Sequence, residues 1–418
     1  AGSPHGGLFK TINGGDSWEP ISAFIPSLGI SGIVVHPTNP QIIYVLTGDG
    51  NSSDGGFVNS YLYRSSSQGV LKSIDGGNSW IKTGVFPGSE NLLYRGTDLI
   101  INPDDPEILI ASTTIGIFRT TTGGQSWVNS FAQSTFDIAF KPGDPNIVYA
   151  TVGNDFLRSI DGGINFQFTT GNLFAGANRI SIGTTQANSN KVLLFCGPGY
   201  AGMGTASFKG LYVSTTSGSD NSFSLITNTP NLFYNFIGLL ESNSGTGQAA
   251  YNNCIAISPT NENEIYVGGL CVWKSTDGGA NWTQVSAYWP WTSPYMHPDI
   301  HDLAYNPINN NLFCANDGGV YKYNNGVWDA KFNGLTSSQF YHFERENGNH
   351  KIWGGLQDNG HLEQASGGNY IEVSGGDGYD QMTDHNYLVS NGTGNTKYFT
   401  VNKSIYKNCY TTTSCVIS

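Results

Sequence analysis

The sequence predicts an all-β protein, a β-propeller of seven to eight four-stranded blades, and three observations carry that expectation. One short segment recurs along the chain, a second segment stands in front of several of its copies, and the composition suits short strands joined by tight turns. The recurring segment reads GGLFKTINGGDSW up to Trp18, GVLKSIDGGNSW up to Trp80 and GIFRTTTGGQSW up to Trp127. It returns as DFLRSIDGGINF up to Phe166 and CVWKSTDGGANW up to Trp282, with weaker copies ending at Phe223 and Trp328. The segment in front of it reads IVVHPTNPQIIYV, LIINPDDPEILIA, IAFKPGDPNIVYA or IAISPTNENEIYV, a strand, a Pro/Asn turn and a strand. Among 418 residues there are 55 glycines and 13% aromatics but only 12% charged residues, which fits aromatic strands and Gly-rich turns.

Each recurring segment is an alternating strand, a polar Gly-Gly turn and an aromatic residue that opens the next strand. Joined to its partner segment it makes one unit of four antiparallel strands, a to d. The terminal aromatics are 62, 47, 39, 57, 59 and 46 residues apart, which brackets the roughly 40–50 residues of a propeller blade with loop insertions. A lone four-stranded blade leaves an apolar face bare, so the blades must stack around an axis.

Taken in order, the chain opens with strands c and d only, residues 7–21, and a–b pairs follow. The last three are DIHDLAYNPINNNLFCA, FYHFERENGNHKIWGGL and YDQMTDHNYLVSNG, before a final fragment KYFTVNKSIYKN. The expectation is one propeller over 1–418, its opening half-blade 7–21 closing with 379–408. The alternative is a propeller over 1–375 with 376–418 as the start of a further module.

Net charge is −12 and no Lys/Arg run exists, which makes nucleic acid and anionic membranes poor partners. No apolar stretch approaches the ~18 residues of a membrane span, and AGSPHGGLFK shows no signal-peptide pattern. The six cysteines, Cys196, Cys254, Cys271, Cys314, Cys409 and Cys415, are an even number that fits disulfides without requiring them. Cys409 and Cys415 flank a short loop that a bridge can close. With few charges and many Asn, Ser and Thr, this points to a secreted or cell-surface protein.

Propeller geometry sorts the loops. The a–b and c–d turns share one face, while the b–c and d–a loops share the other. The first set is short, so function is expected among the long loops at 47–69, 226–253 and 286–300. The last runs SAYWPWTSPYMHPDIHD into a strand and brings Trp289, Trp291 and Tyr295 towards His297, Asp299, His301 and Asp302. Asp317, Gln357, Asp358 and Asp377 lie on later loops of the same face. Asp302, Asp377 and Asp358 are candidate catalytic carboxylates. Trp289, Trp291, Tyr295, His297, Asp299, His301 and Gln357 are candidate ligand contacts, because paired tryptophans are costly to expose without something to pack on. His297, Asp299 and His301 alternate as a metal-ligand set would on one strand face, so a bound divalent cation is a candidate although no cofactor is required. A solvated polar rim and ordinary Asp-Gly turn chemistry are the competing readings.

The SIDGGNSW type of turn resembles the Asp-box, or BNR repeat, of sialidases, sortilin-type receptors and family 74 glycoside hydrolases. That resemblance assigns structural roles to Asn13, Trp18, Asp75, Trp80, Trp127, Asp161, Phe166, Asp277 and Trp282: turn closure by the acid or amide, packing by the ring. The succession of GIVVHPTNPQIIYV and GVLKSIDGGNSW units resembles the N-terminal propeller of family 74 enzymes, whose cleft lies between two propellers. Their first acid sits on the first blade, and no residue here matches it. Sialidases need an arginine triad for the sialic carboxylate; this chain has six arginines, with Arg119 and Arg158 in the pre-turn position. The ordered series HPDIHDLAYNP, NDGGVYKY, LTSSQFYHF, GGLQDNG and GGDG is similar to sortilin-like BNR-repeat proteins that Bacteroidetes export by type IX secretion. It implies an extracellular propeller that binds a polysaccharide or a surface protein, with further domains in a longer chain. Polysaccharide hydrolysis by paired carboxylates is the alternative.

Overall fold

The computed structural model describes the chain apart from residues 23–24, 26–28, 51–65, 91, 170–173, 199–207, 231, 233–248, 250, 288–292, 338–339, 346–351, 357–359, 365–369, 375–377, 385–395, 402–403, 409–413 and 417–418. It divides into two compact units, Ala1–Leu335 and Thr336–Ser418. Among the described residues there is no α-helix, and no helix long and apolar enough to cross a membrane.

Seven blades form the β-propeller in the first unit. The first is a three-stranded sheet, Gly2–Ser3, Gly7–Lys10 and Glu19–Pro20, and the remaining six have four antiparallel strands each. They cover residues 30–82, 96–131, 137–168, 179–227, 254–284 and 300–330. The opening sheet thus gains a strand at Gly2–Ser3, which pairs with Gly7–Lys10; two residues are too few to show alternation in the sequence.

Strand position within a blade explains the sequence patterns. Second strands are covered on both faces, so Leu109–Thr113 and Val192–Gly197 are buried throughout and carry continuous small and apolar runs. Fourth strands such as Ile81–Lys82 are exposed. The core lies between blades. Tyr44, Leu46 and Val70 of the second blade pack with Leu109, Phe118 and Trp127 of the third. Leu193 and Leu211 of the fifth pack with Val267 and Trp273 of the sixth.

The c–d turns are closed locally. Asp75 Oδ1 accepts the Ser79 N–H at 2.9 Å and the Ser73 hydroxyl at 2.8 Å, and Ser73 Oγ accepts the Gly77 N–H at 2.8 Å. Gly77 has φ 95°, where a side chain is strained. Asp161 and Asp277 repeat this pattern, and Asn13 stands in for the acid in the first blade by accepting the Ser17 N–H at 3.0 Å. Phe166 packs against the buried cluster between the third and fourth blades.

Ring closure follows from the aromatic at the end of each turn. Trp80 Nε1 donates to Ile21 O at 3.2 Å, Trp127 Nε1 to Thr83 Oγ1 at 3.4 Å and Trp328 Nε1 to Val285 O at 2.9 Å. Each bond reaches the preceding blade just after its last strand. Trp18 makes the same step to Lys331 O at 2.6 Å, and its N–H bonds Asn333 O at 2.9 Å. The opening strands, expected to meet 379–408, therefore have the seventh blade as their partner. Trp282 departs from the pattern and donates within its own turn, to Gly279 O at 2.9 Å.

The second unit holds two four-stranded sheets. One is Phe340–Arg345, Ile352–Leu356, His361–Gln364 and Tyr370–Ser374; the other is Gly378–Asp384, Thr396–Val401, Ser404–Asn408 and Ser414–Val416. Cys196, Cys254, Cys271 and Cys314 are buried free thiols, so none forms the disulfide that an even count permits. The Cys409–Cys415 loop lies largely outside the described residues.

Candidate functional site

Two loops and a turn meet where the seventh blade begins. Asp299 precedes the inner strand Ile300–Tyr305 and has φ 64°, a left-handed conformation that Asp tolerates better than most residues. Its carboxylate accepts the Asn252 Nδ2–H at 2.6 Å, and both residues are buried. The strand register then shifts between Ile300 and Asp302, leaving His301 as the extra residue of a bulge. Its Nε2 lies 2.7 Å from Asp317 Oδ1, on the turn between the second and third strands. The Tyr251 hydroxyl donates to the same carboxylate at 2.9 and 3.2 Å, and its ring meets His301 edge-on at 4.6 Å.

These contacts push two nearby carboxyls apart. Burial, reinforced by the negative charge of Asp317, raises Asp299 to about 7, against the opposing donation from Asn252 and attraction of His301. Burial also acts to raise Asp317, but the charge and hydrogen bond of His301 and the Tyr251 hydroxyl prevail and hold it below the usual carboxylate range. Burial alone would lower His301; Asp317 outweighs it and raises the imidazole above its ordinary value. The site therefore holds a His301–Asp317 pair in which each partner favours the charged form of the other, beside a carboxyl whose midpoint is lifted to about 7. The arrangement can donate a proton, accept one, and hydrogen-bond hydroxyl groups.

Deeper along the inner strands lies a second set of acids. Asp98, Asp137 and Asp302 occupy the innermost strands of the third, fourth and seventh blades. Asp98 accepts the Leu99 N–H at 2.7 Å, and Asp137 reaches the next blade to accept the Ile182 N–H at 2.7 Å. Asp302 is solvent-accessible although protein surrounds it, as befits a side chain facing the channel of a propeller. Burial raises all three, Asp137 to about 6; mutual repulsion adds to Asp98 and Asp137, while the Arg179 guanidinium opposes it at Asp137.

Asp302 thus belongs with Asp98 and Asp137 in the channel. His297 makes no hydrogen bond to the cluster: its Nδ1 is 3.1 Å from Pro298 O, and its own carbonyl takes the Asn316 amide at 2.7 Å. Tyr295 is exposed and bridges Ala287 through its backbone. His297, Asp299 and His301 are not brought together, and among the described residues no three His, Cys, Asp or Glu side chains are placed to hold a metal ion. The physical reason is local: Asp299 sits before the strand and His301 on its bulge, so regular alternation does not apply. Trp289, Trp291, Gln357, Asp358 and Asp377 lie outside the described residues.

Sequence reasoning missed Tyr251, Asn252, Arg179, Asp98 and Asp137. For the two acids a signal exists: TDLI at 97–100, FDIA at 136–139 and HDLA at 301–304 put Asp at the same point of three inner strands. Tyr251 and Asn252 stand just before the strand Cys254–Ile257, in sequence with no repeat to mark them.

No established family profile matches the chain. A xyloglucanase of Acetivibrio thermocellus is 25% identical over 347 residues, covering 69% of this chain and 37% of that protein. A Paenibacillus xyloglucanase is 26% identical over 218 residues, covering 45% of this chain and 20% of its own length. The chain therefore spans little more than a third of the curated relatives it matches. A solved GH74 xyloglucanase of Xanthomonas campestris superposes with a TM-score of 0.67 at 16% identity, over 94% of this chain and 63% of that one. The GH74 enzyme of Niastella koreensis gives 0.64 at 14%, over 99% and 70%. At these identities the structural likeness is one of fold.

Proposed function

We propose that the loop-bearing face of the ring binds a neutral polysaccharide with a β-glucan backbone, of the xyloglucan class, and that the chain is a glycan-binding propeller of a secreted or surface protein. The observation that carries this reading is the meeting of Tyr251, Asn252, Asp299, His301 and Asp317 at one mouth. Buried hydrogen-bonding groups beside an aromatic edge suit sugar hydroxyls and the apolar face of a pyranose. The curated relatives, named xyloglucanases, supply the substrate class. The reading needs no cofactor. Affinity electrophoresis in gels containing xyloglucan tests it: retardation of the wild-type chain, lost in Asp317→Asn, supports the proposal, and unretarded migration in every neutral glucan gel refutes it.

Hydrolysis is a second reading, favoured by the separation of the Asp299 and Asp317 carboxyls to opposite sides of their ordinary value. One protonated and one ionised carboxyl are what acid–base cleavage of a glycosidic bond requires. New reducing ends released from xyloglucan, and lost in both Asp299→Asn and Asp317→Asn, would establish it. Retardation without release leaves binding as the function.

A further inference from the structure

The turn face of the ring has one irregularity. In the first and third blades the basic residue before the turn reaches the turn of the next blade: Lys10 Nζ donates to Gly76 O at 2.7 Å, and Arg119 Nε to Gly162 O at 2.8 Å. Between the second and third blades, Lys72 lies over the Tyr44 ring, 5.0 Å from its centroid. Gly123 of the third blade covers that pair, since a Cβ there would stand 3.1 Å from the Tyr44 hydroxyl and 3.2 Å from Lys72 Nζ.

The sixth blade carries the same lysine-on-tyrosine pair, with Lys274 Nζ 5.1 Å from the Tyr266 centroid. Its cover is missing. The seventh blade replaces the Gly-Gly turn with a two-residue hairpin, Asn325 at φ 49° and Gly326 at φ 91°, between the paired Asn324 and Val327. A cavity of about 450 Å³ occupies the place of the missing segment. Tyr266, Tyr305 and Tyr323 line it, and the outer two rings stand edge-on to Tyr266 at 6.4 and 5.6 Å. Lys274 is paired with Glu264 at 3.0 Å, and the Tyr266 hydroxyl donates to the same carboxylate at 2.8 Å. Asn311 and Asn324 add amides at the rim.

This lining selects its ligand. The single cation is already matched by a carboxylate, so an anion gains little and meets Glu264. An apolar molecule would strip water from the rim amides and the ion pair and return no hydrogen bonds, which is costly. Phenol faces with donors and acceptors around them suit an uncharged ring bearing several hydroxyls. We propose that the cavity between the sixth and seventh blades on the turn face binds one pyranose residue of a neutral glycan, as a second site separate from the loop-bearing mouth. The absent turn is what opens it. The proposal stands on the cavity's own chemistry and holds whether or not the mouth binds glycan.

Isothermal titration with cellotetraose and with a xyloglucan heptasaccharide, together with saturation-transfer NMR, reads the stoichiometry and the contacts. Tyr323→Ala removes a lining ring and is expected to weaken the turn-face step by roughly tenfold. Because Tyr323 also contributes to packing, Asn311→Trp provides a rim variant that fills the cavity without touching the core; it should abolish that step at an unchanged melting temperature. Asp317→Asn should leave the step intact, so failure of the mouth reading would appear as one remaining site that Asn311→Trp removes. Oligosaccharide binding unaffected by both Tyr323→Ala and Asn311→Trp, or absent from the wild-type chain altogether, would overturn the proposal.

Discussion

Asp277 in the turn of the sixth blade and Asp299 in the loop that follows it carry the same side chain into opposite surroundings. Asp277 accepts the backbone N–H of Asn281 at 2.9 Å, the Asn281 amide at 2.7 Å and the Ser275 hydroxyl at 2.8 Å, which together hold it down at about 2. Asp299 has the Asn252 amide at 2.6 Å but is buried beside the charge of Asp317, and burial first and that repulsion second lift it to about 7. A carboxyl with a full set of donors is part of the fold's local chemistry. One kept buried against a like charge is retained at a cost to stability, and such residues gather where proteins act.

The largest effect belongs to the turn-face aromatics. Trp127 is buried and meets the Phe86 ring edge-on at 5.0 Å. Trp127→Ala should cost about 3–5 kcal/mol of stability, read by urea unfolding, without altering glycan retention in native conditions. A loss of retention with unchanged stability would put function on the wrong face.

Ser275→Ala comes next. Its buried hydroxyl accepts the Gly279 N–H at 2.9 Å, and removing it leaves that donor unpaired. The expected cost is about 1–3 kcal/mol, measured by the same unfolding curve.

The pH dependence sharpens the contrast further. Asp75 and Asp277, both held at about 2, contribute stability that is present above the unfolded carboxyl value and lost as pH falls through about 4 to 2. Asp299 acts in the opposite sense. With its folded value at about 7, it weakens the native state progressively as pH rises from about 4 to 7, and Asp137 at about 6 adds to the same limb. Asp299→Asn should flatten the neutral limb of a melting-temperature profile and leave the acid limb alone. Asp277→Asn should do the reverse.

Much of this was legible in the sequence because the turns are local. A Ser-x-Asp-Gly-Gly segment closes on itself within six residues, so Asp75, Asp161 and Asp277 could be read without knowing their neighbours. Asp317 could be placed on the face of His301 by strand counting alone. Ring closure was not legible, because the Trp18 bond to Lys331 joins residues at opposite ends of the first unit and the seventh blade carries only a degenerate turn. The left-handed Asp299 and the bulged His301 defeated the alternation rule that suggested a metal set. Tyr251 and Asn252 come from a stretch of sequence that carries no periodic mark.

The most direct test sets Asp317→Asn against Asp277→Asn in one experiment, measuring retention in xyloglucan gels beside the melting temperature. The account predicts that Asp317→Asn loses retention while still unfolding cooperatively on heating, and that Asp277→Asn melts lower yet is retained like the wild-type chain. Retention that survives Asp317→Asn, or disappears with Asp277→Asn at a temperature where that variant is folded, would contradict it.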